Sequence, residues 1–341
     1  MYSFLNDYNE IAHPAVMKEL NSLVGQRYEG YGTDKLCASV AKQIKERIGR
    51  ADADIHFFNG GTITNLTVIS HVLRPHQAAI SVDSGHISTH ETGAIEATGH
   101  KVITVQSESG KLTPQHIQKV LTENGDEHTV QAKLVYISNS TEIGTVYRKS
   151  EIVALREICD ANGLFLFMDG ARLASGLMSK YSDLTIEDIA QLTDIFYIGG
   201  TKIGAFTGEV LVIANSALKS DFRFSLKQKG GLQAKGWLLA AQFKALFEDD
   251  LYFKLGQHVN DMASQIAIFF KDNGFEFLAP TESNQVFVIL PNELAKKLLS
   301  KYALNKICEP EPGKTCVRFC TSWSTRQQDV DDFISSFKLL R

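Results

Sequence analysis

Between residues 50 and 213 short β-rich runs alternate with helical patterns, and no other feature of this 341-residue chain restricts its fold as much. The runs lie at 55–58, 79–82, 102–105, 134–137, 164–168, 195–198 and 210–213. Helical patterns fill the gaps at 62–73, 88–97, 113–123, 150–162 and 185–192. Most of the runs are almost wholly apolar, as strands are when helices cover both faces of their sheet. The alternation predicts an α/β fold with a mostly parallel, seven-stranded sheet flanked by helices. Capping residues agree: Thr113-Pro114 opens one helix, and Ser150 precedes another that ends at Asn162-Gly163. After residue 234 the pattern changes. Helical stretches at 234–247 and 251–273 lead into strands at 275–278, 285–290 and 315–319, with a closing helix from about 325. That reads as a smaller C-terminal α+β domain. Ahead of residue 50, only 35–48 is strongly helical.

Composition narrows the class of function. A net charge of −4 argues against a nucleic-acid binder, which shows a clear basic excess. Residues 1–10 lack the pattern of a secretory signal, and the apolar runs are far short of the ~20 residues that span a bilayer. The five cysteines are odd in number and sit mostly in apolar context, so a cytoplasmic chain with free thiols is expected rather than a disulfide scaffold. Cys316 and Cys320 fall on one face of a predicted strand; lacking a matching pair elsewhere, they read as buried thiols and not as a metal site.

Ligands of open α/β sheets bind beyond the carboxyl ends of the strands, so the residues following each run carry the functional reading. After 55–58 come Asn59-Gly60-Gly61-Thr62 at a helix start, either a plain connection or a backbone cradle for an anion. After 164–168 comes Asp169-Gly170-Ala171-Arg172; the aspartate either pairs with Arg172 or holds a protonated ring nitrogen. After 195–198 come Gly199-Gly200-Thr201-Lys202, whose lysine is either solvated or a nucleophile. Pyridoxal 5′-phosphate needs all three elements: a phosphate cradle, an acid for its pyridinium nitrogen and a lysine for its aldehyde. Their combination on one sheet points to that cofactor.

On these residues the sequence resembles the threonine aldolase and β-eliminating lyase family of fold-type-I, aspartate-aminotransferase-like pyridoxal-phosphate enzymes. The matching motifs are Tyr31-Gly32-Thr33-Asp34, Gly60-Gly61-Thr62 with Asn65, Asp83-Ser84-Gly85-His86, Asp169-Gly170-Ala171-Arg172, Thr201-Lys202 and Val317-Arg318-Phe319. The resemblance implies that Lys202, with Thr201 beside it, forms the Schiff base, Asp169 binds the pyridine nitrogen and His86 stacks on the ring. It likewise implies that Gly60, Gly61 and Thr62 hold the phosphate, while Arg172 and Arg318 take the substrate carboxylate, assisted by Asn6. The family is typically tetrameric, with sites at dimer interfaces. Lys227 and Lys229 would then either reach a neighbour's phosphate or lie in a solvated loop. The expected division is an N-terminal segment 1–30 serving the site and the small domain, a large cofactor domain 31–245 and a small domain 246–341.

Two positions depart from the family pattern. Asn139-Ser140-Thr141 stands where the family carries Asn-Thr-His, and Ile203 intervenes between Lys202 and Gly204. His90 either supplies the missing imidazole or packs its helix. The leading expectation is a lyase that cleaves Cα–Cβ of a β-hydroxy-α-amino acid such as L-threonine or L-allo-threonine. The alternatives are a β-eliminating lyase or an aminotransferase on the same scaffold, or a non-catalytic binding protein. Cytoplasmic location, a homodimer or homotetramer, and no nucleic-acid, membrane or metal partner complete the reading.

Overall fold

The computed structural model describes residues 3–340. All seven runs form strands of one sheet: β1 (Asp54–Phe58), β2 (Gln77–Val82), β3 (Lys101–Val105), β4 (Gln131–Ser138), β5 (Phe165–Asp169), β6 (Ile195–Gly199) and β7 (Glu209–Ile213). Their order is β1-β7-β6-β5-β4-β2-β3, and only β7 runs against the rest, antiparallel to both β1 and β6. The carboxyl ends of six strands therefore meet at one edge of the sheet, joined there by the beginning of β7. Burial follows position. The inner strands β2, β5, β6 and β7 are almost entirely buried, while the outer strands β1 and β3 are half-covered.

A second, antiparallel sheet has the order β10-β11-β9-β8, from β8 (Glu276–Phe277), β9 (Gln285–Pro291), β10 (Asn305–Cys308) and β11 (Lys314–Cys320). The 22-residue helix Leu251–Asp272 connects the two cores. Tyr252, Leu255 and Val259 pack into the large core, and Met262, Ile266 and Phe270 into the small one. Phe4 is fully buried in that small core, and its carbonyl accepts from Cys320 N–H at 2.9 Å. The amino-terminal segment is thereby pinned beside the cleft.

Several expectations are corrected. The predicted helix at 88–97 is broken into a single turn, His86–Thr89, and a short 3-10 turn, Glu96–Thr98. Thr92 and Gly93 both take positive φ (52° and 71°), which a continuing helix cannot accommodate. Ser150 lies inside its helix, which starts at Lys149; Glu151 folds back to accept from Arg148 N–H at 2.7 Å. By contrast Thr113 and Thr185 do cap their helices, and Gly163 ends one in the left-handed region. Helices Pro14–Ser22 and Asn292–Lys301 and strand β10 were not anticipated. Cys316 and Cys320 are buried thiols, each pushed up to about 12 by burial. No helix among the described residues is long and apolar enough to cross a membrane.

Candidate active site

A cleft of about 890 Å³ opens at the carboxyl edge of the large sheet. It gathers Gly60, Gly61, Thr62, His86, His90, Asp169, Arg172, Thr201, Lys202 and Arg318, which are separated by up to 258 residues in sequence. Close backbone packing brings the two central loops together. A Cβ at Gly170 would stand 1.8 Å from the Tyr197 carbonyl oxygen, and one at Gly199 would stand 2.5 Å from that of Ala171. Only glycine permits the β5 and β6 loops to approach this closely, so Asp169 and Lys202 share one cleft.

Asp169 is buried at the end of β5. Its Oδ2 accepts from the Tyr136 hydroxyl and from Asn65 Nδ2 at 3.2 Å, and its Oδ1 from Ala171 N–H at 2.9 Å. Burial pushes the carboxyl up, but the His86 charge and the phenols of Tyr136 and Tyr197 more than offset it, so its pKa lies below the ordinary value. The pairing of Asp169 with Arg172 weighed from sequence does not occur.

Arg172 instead binds Asp7: Nε donates at 2.7 Å and Nη2 at 3.2 Å, with Asn284 Nδ2 adding a bond to the same carboxylate at 3.0 Å. Glu142 lies 3.7 Å from the remaining Nη1. Asp7 thus engages Nε and Nη2, while Nη1 makes no hydrogen bond among the described residues and Arg172 still lines the cleft. Asn6 Oδ1 accepts from Tyr8 N–H at 3.1 Å, which leaves its side-chain N–H groups as donors.

Arg318 differs. It makes no ion pair among the described residues, donating to Gln285 Oε1 at 3.1 Å and to the Leu5 carbonyl at 3.2 Å. Its buried Nε has no partner. The salt bridge considered from sequence is absent, and a guanidinium facing a cleft with donors to spare can receive an anion.

His86 donates Nδ1–H to Glu91 Oε1 at 2.7 Å, which leaves Nε2 for the cleft. Burial disfavours its charge, yet Glu91, Asp169 and Glu142 together raise its pKa above the ordinary value. Glu91 Oε1 also accepts from Asn65 Nδ2 at 2.7 Å, tying His86 to Asp169 through one buried network. His90 is exposed and stacks against His86, with ring centroids 5.7 Å apart. Thr141, at the family's histidine position, is buried in a bond to Thr145 and does not line the cleft; Glu142 and Ile143 do. Lys229 caps the helix Phe222–Gln228 and does not line this cleft.

These residues fit pyridoxal 5′-phosphate. The helix Gly61–Val72 presents its first N–H groups without any side-chain cap, as an anion site requires. An ionised buried carboxylate suits a protonated ring nitrogen. Lys202 lines the same cleft and forms no ion pair among the described residues. The sequence assigned no role to Asp7, Glu91, Tyr136, Tyr197, Glu142 or Glu209.

The comparisons agree with this geometry. Residues 13–293 match the family described as Beta-eliminating lyase. A low-specificity L-threonine aldolase from Pseudomonas sp. is 30% identical over 317 residues, covering 90% of this chain and 89% of the relative. A Leishmania major threonine aldolase structure superposes with a TM-score of 0.98 at 46% identity, covering 100% of both chains. Thermus thermophilus aspartate aminotransferase, at 14% identity and a TM-score of 0.72, shares the fold over 98% of this chain and 89% of its own.

Proposed function

The chain belongs to the β-eliminating lyase family, and we propose on that footing that it is a threonine aldolase splitting β-hydroxy-α-amino acids into glycine and an aldehyde. It is a pyridoxal-phosphate-dependent lyase. The observation that carries this reading is the meeting of Lys202, Asp169 and the uncapped helix start at Gly61 in one cleft.

When bound, the cofactor's conjugated ring accepts the electron pair left on Cα as Cα–Cβ breaks. The protein does the rest. Lys202 supplies the amine that anchors the aldehyde, and Asp169 holds a proton on the ring nitrogen. The N–H groups from Gly61 onward, with the Thr62 hydroxyl, receive the phosphate. His86 forms a wall of the cleft. Arg318 and Arg172 take the substrate carboxylate, and Arg172 also braces the amino-terminal segment through Asp7. The β-hydroxyl must lose its proton as the aldehyde forms. His86 Nε2, His90 and Glu142 line this wall of the cleft and are its proton acceptors.

Borohydride reduction followed by peptide mapping is expected to fix the cofactor on Lys202, and label on any other lysine would overturn the assignment. Product analysis separates the chemistry: glycine and an aldehyde support cleavage, pyruvate and ammonia β-elimination. Arg318→Lys is expected to weaken glycine binding roughly ten- to a hundredfold, about 1.5–3 kcal/mol, because an ammonium replaces a planar fork. Titration of the cofactor's absorbance with glycine checks this; unchanged affinity would return Arg318 to a structural role.

The same reading keeps the division at 1–30, 31–245 and 246–341 and places the enzyme in the cytoplasm as a homodimer or homotetramer. Exposed aromatic residues, Tyr8, Tyr31, Phe206 and Phe224, support an interface. Lys229 would serve a neighbouring site across it.

A further inference from the structure

One buried carboxyl of the cleft has no task in this mechanism. Glu209 opens β7, the single antiparallel strand, so it lies at the carboxyl edge, in register with Phe58 of β1 and Gly199 of β6. Its Oε2 accepts from Gly200 N–H at 2.9 Å and its Oε1 from the Thr201 hydroxyl at 2.9 Å. Both oxygens thus grip the two residues that precede Lys202. The Thr201 hydroxyl accepts in turn from Gly208 N–H at 3.0 Å, closing the loop on itself.

The ionisable groups facing Glu209 are Lys202 on its own loop, Asp169 on β5, Tyr197 on β6 and Tyr252 from the helix Leu251–Asp272. Lys202 is the one cation among them. Burial pushes the Glu209 carboxyl up; the Gly200 and Thr201 donors and Lys202 pull it back, leaving it at about 7. Raised above its unfolded value of 4.5, this group loses the fold stability as pH climbs from 4.5 to about 7. A carboxyl that weakens the fold when ionised, and that clamps the catalytic lysine's turn, calls for a functional reason.

We propose that Glu209 is the positioning residue of Lys202 and, beside Asp7, one of its two counter-charges, fixing the turn that carries the lysine and favouring a proton on its nitrogen. This rests on the assignment of Lys202 as the cofactor's lysine. A protonated nitrogen makes the carbon joined to it more open to attack by an incoming amine, so the counter-charge favours exchange of lysine for substrate.

The test uses the full-length, cofactor-loaded protein and the pH midpoint of its visible absorbance, which reports the proton on the Lys202 nitrogen. In Glu209→Gln, which keeps the size and removes the charge, the midpoint is expected to fall by about one pH unit, since a nearby opposite charge shifts a pKa by ~1–3 units. Glu209→Asp, with the charge retained, is expected to bring it back toward wild type. A midpoint shared by wild type and Glu209→Gln would overturn the proposal and leave Glu209 a structural clamp. Should Glu209→Gln not fold, the wild-type curve decides: coupled groups give a transition broader than one proton, and a single-proton curve would overturn the coupling. Cofactor fixed by borohydride at a lysine other than Lys202 would remove the lysine assignment itself, an outcome distinct from an unmoved midpoint.

Discussion

Replacing Asp169 with asparagine leaves the cofactor bound and lowers kcat for aldol cleavage by ~10²–10³, the range for losing one preorganised charge in a water-excluded site. The carboxylate is held below its ordinary pKa by His86 and two phenols despite its burial, so it is ionised throughout the neutral range. An ionised Asp169 keeps the ring nitrogen protonated, and the protonated ring draws electrons from Cα. Asparagine has the same size and can still accept from Ala171 N–H. The Tyr136 hydroxyl can rotate to accept from the new amide, and Asn65 Nδ2, which loses its longer bond to this position, keeps its bond to Glu91 at 2.7 Å. What is lost is the charge. Steady-state kinetics at saturating threonine, with cofactor content measured by absorbance, provide the check. As a control, Asp52→Asn removes an exposed carboxylate paired with Arg50 and should stay within about twofold of wild type. An equally small effect at Asp169 would remove it from the assigned role.

Much of this site was legible because the parallel strands are buried on both faces. A run such as Phe165–Asp169 has few conformational alternatives, and its terminal carboxylate stands out against apolar neighbours. The same contrast exposed Lys202 after β6. Glu209 was missed for the converse reason: ligand sites were sought where strands end, and β7 begins there. A charged residue starting an otherwise apolar strand was the available signal. Tyr136 and Tyr197 read as ordinary strand aromatics, because only the folded sheet shows both phenols reaching Asp169. The broken helix near 90 shows the limit of periodicity, since Thr92 and Gly93 override an apolar pattern with two left-handed residues. Of the Asn6-Asp7 pair, the sequence pointed to Asn6 and gave no sign of the partner that Asp7 finds. Its partner Arg172 is 165 residues away, and the amino-terminal segment reaches it only because Phe4 is anchored in the small core.

That long-range pair sets the second large effect, expected on stability. Asp7→Ala should lower the unfolding free energy by about 3–5 kcal/mol, the cost of stranding a buried charge after removing its partner. Arg172 is 8% exposed and Asp7 1%, so water cannot replace the lost carboxylate without opening the site. Glu142, 3.7 Å from the guanidinium, recovers only part of the attraction. Asp7→Asn, able to accept one bond, should cost less than Asp7→Ala. The pH dependence fixes the origin of the effect. Burial pushes the Asp7 carboxyl up, but Arg172, Lys202 and Asn284 together bring it from 3.8 to about 2. A depressed folded-state pKa gives stability that is complete above about 4 and disappears as pH falls through about 2. Urea unfolding of wild type and Asp7→Ala should therefore differ most at neutral pH and converge between pH 4 and 2. A difference below about 1 kcal/mol at pH 7 would show that the segment is held by Phe4 and the backbone bonds of the small sheet alone. A constant difference down to pH 2 would place the effect in packing instead of charge. Because Asp7 and Tyr8 are consecutive and Tyr8 lines the cleft, loss of the pair also loosens a wall of the site. In Asp7→Ala, KM for threonine should accordingly rise along with the loss of stability, while the borohydride label stays on Lys202.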